Sequence, residues 1–241
     1  MEKNPDTYGK LYLIPSLLGD NEPLGVLPLT VKQTVEQLSH FIVENERTAR
    51  RFIKKITPRK SQPSLVLFPL NKYTEAAAIP EYLAPCLEGI SVGVLSEAGC
   101  PAIADPGSDI VALAHARGIR VVPLVGPSSI FLALMASGLN GQNFAFNGYL
   151  PIETSERKKV LKTLEKRSGE FGQSQFFMET PYRNEKLLAE LVRTLRKETL
   201  LCIAADLTLE SEYIQTRTVG DWANHLPDLN KRPAIFGIQS K

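Results

Sequence analysis

Residues 95–108 read LSEAGCPAIADPGS, and this stretch decides the fold class. It leaves an apolar run at 91–96 that reads as a strand. It then packs two glycines, two prolines and two acids into a loop ahead of a helical pattern. A strand that empties into such a loop and then a helix is the building unit of α/β proteins, and open sheets bind ligands at the carboxyl ends of their strands. Gly99 and Gly107 permit backbone positions that a side chain would obstruct, while Pro101 and Pro106 stiffen the loop. We read a ligand loop here, with a merely structural turn as the alternative.

Working outward, short runs rich in Val, Ile and Leu predict strands at 11–15, 41–44, 65–68, 91–96 and 120–124. A second group is expected at 144–149, 175–179, 200–205, 213–219 and 234–239. The early runs are nearly uniform in apolarity, as where helices cover both faces of a parallel sheet. The run at 213–219 alternates Ile214, Thr216 and Thr218, which looks antiparallel. Helices are expected at 109–117, with Ser108 as a possible N-cap, at 129–137, and at 185–196, where Asn184 can cap the first turn. The fold class is therefore α/β with two lobes, 1–118 and 119–241. The first sheet is mostly parallel and the second mixed, each flanked by helices.

The chain of 241 residues carries 28 Lys and Arg against 26 Asp and Glu, so any nucleic-acid contact must come from a local basic patch. Cys86, Cys100 and Cys202 form no CxxC pair, and with three histidines no zinc site is expected. Sparse cysteines, and a polar start MEKNPDTYGK without a secretory apolar core, point to a cytoplasmic protein. The apolar stretch 121–139 is interrupted by Pro123, Gly126 and Pro127 and is not read as a membrane span. No GxGxxG follows the first strand, and GxxxxGK[ST], GxSxG and HExxH are absent, which removes the dinucleotide, P-loop, serine-hydrolase and zincin readings.

Three further features carry candidate chemistry. In VPLVGPSS, 122–129, Ser128 or Ser129 either caps the next helix or faces a polar ligand. In FMETPYR, 177–183, Glu179 and Arg183 either form a structural ion pair or serve a site, and Met178 on composition alone belongs to the core. Residues 46–60, ERTARRFIKKITPRK, hold seven basic residues and one acid. Such a run is either a solvated helix face or a phosphate-binding patch, and a second cluster at 157–167 is diluted by acids.

The ordered set LYLIPSLLGD (11–20), VENERTARR (43–51), LSEAGCPAIADPG (95–107), RVVPLVGPSS (120–129), FNGYLP (146–151), FMETPYR (177–183) and ADLTLESE (205–212) resembles the tetrapyrrole methylase superfamily of S-adenosylmethionine-dependent methyltransferases. Within that superfamily it is most similar to members that methylate a cytidine ribose in small-subunit ribosomal RNA. The resemblance implies two αβα-like lobes with S-adenosylmethionine in the cleft between them. It makes Pro15, Ser96, Glu97, Ala98, Gly99, Pro101, Ile103, Asp105, Ser128, Ser129 and Met178 candidate cofactor contacts. Glu44, Glu97, Asp105 and Glu179 are candidate proton acceptors for a ribose hydroxyl. Arg47, Arg50, Arg51, Lys54, Lys55 and Arg183 are candidate contacts to ribosomal RNA or the small ribosomal subunit. No metal, DNA or membrane partner is expected, and family members are often homodimers.

This chain departs from the family pattern at Glu97, where Asp is usual, and in VENER where VEDTR is usual. It also has FPLNKYTEAA from Phe68 in place of a His/Asn/Glu-rich stretch, and ADLTL in place of RELTK. These changes fall on substrate-side loops, while the cofactor-side loops hold. Two other readings follow: a methyltransferase of this fold acting on a tetrapyrrole or another small molecule, and a non-catalytic RNA- or ribosome-binding protein.

Overall fold

The computed structural model describes residues 7–75 and 77–240. The first six residues of the polar start, Ala76 in the FPLNKYTEAA stretch, and Lys241 lie outside the described residues.

In the first compact unit, the five early apolar runs form strands β1 (Leu11–Ile14), β2 (His40–Val43), β3 (Val66–Pro69), β4 (Val92–Leu95) and β5 (Val121–Pro123). They make one sheet in the order β3-β2-β4-β1-β5, and every pair is parallel. Helices α1 (Pro23–Val26), α2 (Leu29–Gln37), α3 (Glu46–Ile56), a short 3-10 helix (Ile79–Leu83), α4 (Ala84–Leu87) and α5 (Gly107–Ala116) supply the rest of the regular structure. Two apolar clusters explain the uniform strands. Val31, Val35 and Ile53 gather with Phe41 and Val43, while Leu83, Ile110 and Ala114 gather with Leu11, Ile42 and Val92. Alternate residues of β2 thus enter different cores, which leaves no place for a polar residue.

The boundary between lobes falls later than the expected break after Gly118. The two units are residues 1–128 and 129–241, because β5 belongs to the first sheet. The Leu11 N–H donates to the Arg120 carbonyl at 2.9 Å and the Leu124 N–H to the Leu13 carbonyl at 3.0 Å, so β5 satisfies the free edge of β1.

The second unit contains α6 (Ser129–Ser137), β6 (Phe144–Tyr149), α7 (Thr154–Phe171), β7 (Ser174–Glu179), α8 (Asn184–Thr194), β8 (Leu200–Ala205), β9 (Tyr213–Thr218), α9 (Val219–Trp222) and β10 (Ala234–Gln239). Its sheet runs β6-β7-β10-β8-β9 and is mixed: β6 and β7 are parallel, and the other pairs are antiparallel. Leu161 of α7 and Leu187, Leu188 and Leu191 of α8 pack with Phe177, Phe236 and Trp222. Gly237 of β10 is required at its place, since a Cβ there would lie 2.5 Å from the Phe176 ring.

Two expected caps are corrected. Ser108 does not cap α5, which begins one residue earlier; the Gly107 N–H instead donates to the Asp105 carboxylate at 2.8 Å. Asn184 is the first residue of α8 and not its cap, and its side-chain amide donates to the Arg232 carbonyl at 2.6 Å. The basic cluster at 157–167 lies on α7, a helix of 18 residues capped by the Glu153 carboxylate. Among the described residues, no helix is long and apolar enough to cross a membrane.

Candidate active site

The carboxyl ends of β1, β2 and β4 are neighbours in the first sheet, and the loops leaving them are sewn together. Ser16 ties the first loop to the third: its hydroxyl donates to the Ser96 carbonyl and its N–H to the Gly99 carbonyl, both at 2.8 Å. Pro15 is buried, and Gly126 lies so close that a Cβ there would meet the proline ring at 2.2 Å. The Cys100 thiol approaches the Pro127 carbonyl at 3.4 Å. The 96–105 loop and the turn before Ser128 therefore belong to one packed assembly within the first unit.

Asp105 organises the far end of that loop. Its carboxylate accepts the N–H groups of Ala102 and Gly107, each at 2.8 Å. Gly99, Ala102 and Ala104 hold left-handed backbone conformations at φ 70, 68 and 60°. The two alanines carry strain that a non-glycine residue normally avoids, about 1–3 kcal/mol each. Ile103, between them, is exposed, as is Ala98, whereas Pro101 is buried. The burial of Asp105 pushes its carboxyl above the usual range despite the two N–H donors.

Helix α3 forms the opposite wall of a groove of about 390 Å³. Its start is held by the Asn45 side chain, which accepts from the Arg47 and Thr48 N–H groups at 2.9 and 3.3 Å. Ala49, Ile53 and Ile56 bury one stripe, which turns Thr48, Arg51 and Lys55 to the groove. The Thr48 hydroxyl donates to Glu97 Oε1 at 2.5 Å, and the Glu97 N–H donates to Glu44 Oε1 at 3.2 Å. Partial burial raises the Glu44 pKa; the Glu97 N–H opposes this, and the negative charges of Asp105 and Glu97 add to it. Three of the four expected acids, Glu44, Glu97 and Asp105, are thus brought together.

The fourth acid is elsewhere. Glu179 ends β7 in the second unit, where Arg183 donates to it at 2.6 Å and the Thr180 N–H at 2.7 Å. That pair is the structural option left open by the sequence. Met178 is half-buried on the same strand, and Ser128 and Ser129 are half-buried where α6 begins. The basic run divides as well. Arg50 donates to the Gln62 carbonyl at 2.8 Å, Lys54 to the Pro58 carbonyl at 2.9 Å, and Lys55 pairs with Asp20 at 2.6 Å, while Arg47 is exposed. Thr48, Ser16 and Asp20 escaped sequence reasoning. Their only signal was a place in loops or helix starts after parallel strands.

Residues 10–223 match the family described as tetrapyrrole (corrin/porphyrin) methylases. The chain belongs to the tetrapyrrole methylase family. A ribosomal RNA small subunit methyltransferase I of Vibrio cholerae is 31% identical over 85% of this chain and 67% of its own length. The protein of that name from Escherichia coli O157:H7 is 29% identical over 90% of this chain and 71% of its own. Among solved structures, the methyltransferase CobJ aligns with a TM-score of 0.63 at 16% identity, covering 96% of this chain and 94% of that one. The cobalt precorrin-4 methyltransferase CbiF aligns at 0.60 and 16% identity, covering 98% and 97%. At those identities the two structures speak for the fold alone.

As a tetrapyrrole methylase, the protein is an S-adenosylmethionine-dependent methyltransferase. The residues present suit that cofactor. A sulfonium compound with a flat purine, polar at its edge, and a short charged tail needs shaped backbone, backbone hydrogen-bonding groups and apolar side chains. In the first unit, the exposed Ala98 and Ile103 and the turned backbone of the 98–105 loop, tied by the Asp105 carboxylate at the Ala102 and Gly107 N–H groups, offer groups of these kinds.

Proposed function

We propose that this methyltransferase modifies the 2′-hydroxyl of a cytidine ribose in small-subunit ribosomal RNA. The observation that carries the reading is the groove in which the half-buried Glu44 carboxylate faces a helix bearing Arg51 and Lys55. A carboxylate with a raised pKa, in a groove that Arg51 and Lys55 also line, suits a substrate that must present a weakly acidic hydroxyl and a phosphate backbone together. The names of the V. cholerae and E. coli relatives support ribosomal RNA as that substrate.

In this reading, Pro15, the loop from Ser96 to Asp105 and Ser128, all in the first unit, hold the cofactor. S-adenosylmethionine supplies, when bound, an electrophilic methyl group on a sulfonium. Glu44 receives the proton of the ribose hydroxyl, because its raised pKa makes it a better base than an exposed carboxylate. Glu97 positions Glu44 through its N–H and is itself held by Thr48. Asp105 shapes the cofactor loop. Arg47, Arg51 and Lys55 hold the RNA backbone, whereas Arg183 and Glu179 brace the end of β7.

The test is ribose-methylation mapping of small-subunit ribosomal RNA in a strain lacking the gene. One cytidine 2′-O-methyl group should vanish on deletion and return with the wild-type gene. Glu44→Gln should fail to restore it, with turnover down about 10²- to 10⁴-fold and cofactor affinity unchanged. A full methylation pattern without the gene rejects the substrate.

A further inference from the structure

The basic residues of α3 differ in what occupies their charged ends. Arg50 and Lys54 are spent on carbonyl groups of their own neighbourhood, at Gln62 and Pro58. Arg51 and Lys55, one helical turn apart, line the groove. Asp20, on the loop after β1, reaches across to Lys55 Nζ at 2.6 Å with a side chain that is 97% exposed.

We infer that Arg51 and Lys55 form a subsite for one phosphodiester of the substrate, and that Asp20 occupies it as an exchangeable internal anion. The inference rests on the RNA reading only for the source of the phosphate. A phosphodiester carries the same single negative charge as a carboxylate and accepts the same N–H donors. Arg51 adds a planar donor fork that a phosphate can engage, while Lys55 adds a point charge. The Lys55 hydrogen bond first, then the Lys55 charge and to a lesser degree that of Arg51, hold the Asp20 carboxyl below the usual range. Because the pair is open to water, its attraction is weak and screened by salt, so a phosphate displaces Asp20 at little cost.

The test uses the full chain, a short cytidine-containing RNA followed by fluorescence anisotropy, and tripolyphosphate followed by calorimetry. Asp20→Asn should bind both probes about two- to fivefold more tightly at low salt, the size expected for an exposed pair, and the gain should fade at high salt. Lys55→Ala should weaken both, and on top of it Asp20→Asn should gain less than it does in the wild type, because only Arg51 remains to be freed. Tripolyphosphate reads the subsite without RNA. If RNA does not bind but the tripolyphosphate series holds, the RNA reading fails and the subsite stands. If RNA binds and the variants leave both probes unchanged, the subsite is overturned and the RNA reading stands. Weaker binding by Asp20→Asn also overturns it, since Asp20 would then be a support of the groove.

Discussion

The two compact units treat their more buried carboxylates in opposite ways. In the second, Arg157 and Glu190 are both almost fully buried and paired, and Arg157 also donates to the Pro151 and Ile152 carbonyls at 3.0 and 2.9 Å. Glu165 accepts from the Arg196 N–H at 2.8 Å and the Thr199 hydroxyl at 2.5 Å, and Asp206 pairs with Arg232 at 2.7 Å. In the first unit, Glu44 and Asp105 sit half-buried with N–H donors; burial pushes both carboxyls upward, and the charges of Asp105 and Glu97 add to the rise at Glu44. Neutralised charge builds a scaffold. Carboxylates left without a cation reduce stability and suit proton transfer, which is why shifted acids gather at functional sites.

The largest effect should come from breaking the scaffold. Arg157→Ala leaves Glu190 buried without its cation and should cost about 3–5 kcal/mol. Chemical denaturation followed by hydrogen exchange should place that loss in the second unit, and equal loss of protection in the first would undo the contrast. Next in size, Gly126→Ala drives a Cβ into the Pro15 ring. Overpacking of this kind costs about 1–3 kcal/mol, so calorimetry should show cofactor affinity falling about tenfold. Unchanged affinity would remove the Pro15–Gly126 assembly from the cofactor site.

The smallest effects are in pH dependence, and they should have opposite signs. The folded pKa of Glu44 lies above its ordinary 4.5, so its contribution to stability is full below 4.5 and is lost as pH rises through the raised value. Glu153, which caps α7, is lowered from 4.5 to about 2, first by the Ser155 hydroxyl and then by the Ser155 and Glu156 N–H groups. Its contribution is present above 4.5 and is lost as pH falls toward about 2. Denaturant midpoints should therefore show Glu44→Gln gaining on the wild type toward neutral pH. Glu153→Gln should trail the wild type there and converge with it in acid. Two shifts of the same sign would mean that the units do not differ in this respect.

Each of the ten strand segments was legible, because an apolar run bounded by turn residues is a local signal. The ranges at 144–149, 200–205 and 234–239, and the helix at 129–137, match the observed bounds. Helix α7 was legible only as a charge cluster, since its long polar face masks the stripe made by Leu161 and Leu164. The lobe boundary was misplaced because β5 follows Gly118, a local stop, yet hydrogen-bonds to β1 more than a hundred residues earlier. The site was half legible. Glu44, Glu97 and Asp105 could be chosen as acids on strand-end loops, but not separated from Glu179.

The sequence by itself determined the family, the α/β alternation, the parallel and mixed characters of the two sheets, and the loops that carry chemistry. These depend on periodicity, turn residues and ordered motifs, which are properties of neighbours along the chain. Only the tertiary structure decided which charge meets which. Glu97 reaches Thr48 across 49 positions, and Asp20 reaches Lys55 across 35. Glu179 is spent on Arg183, while Glu44 pairs with no cation among the described residues. A carboxylate's role is set by its burial and its partners, and neither exists until strands distant in sequence lie side by side.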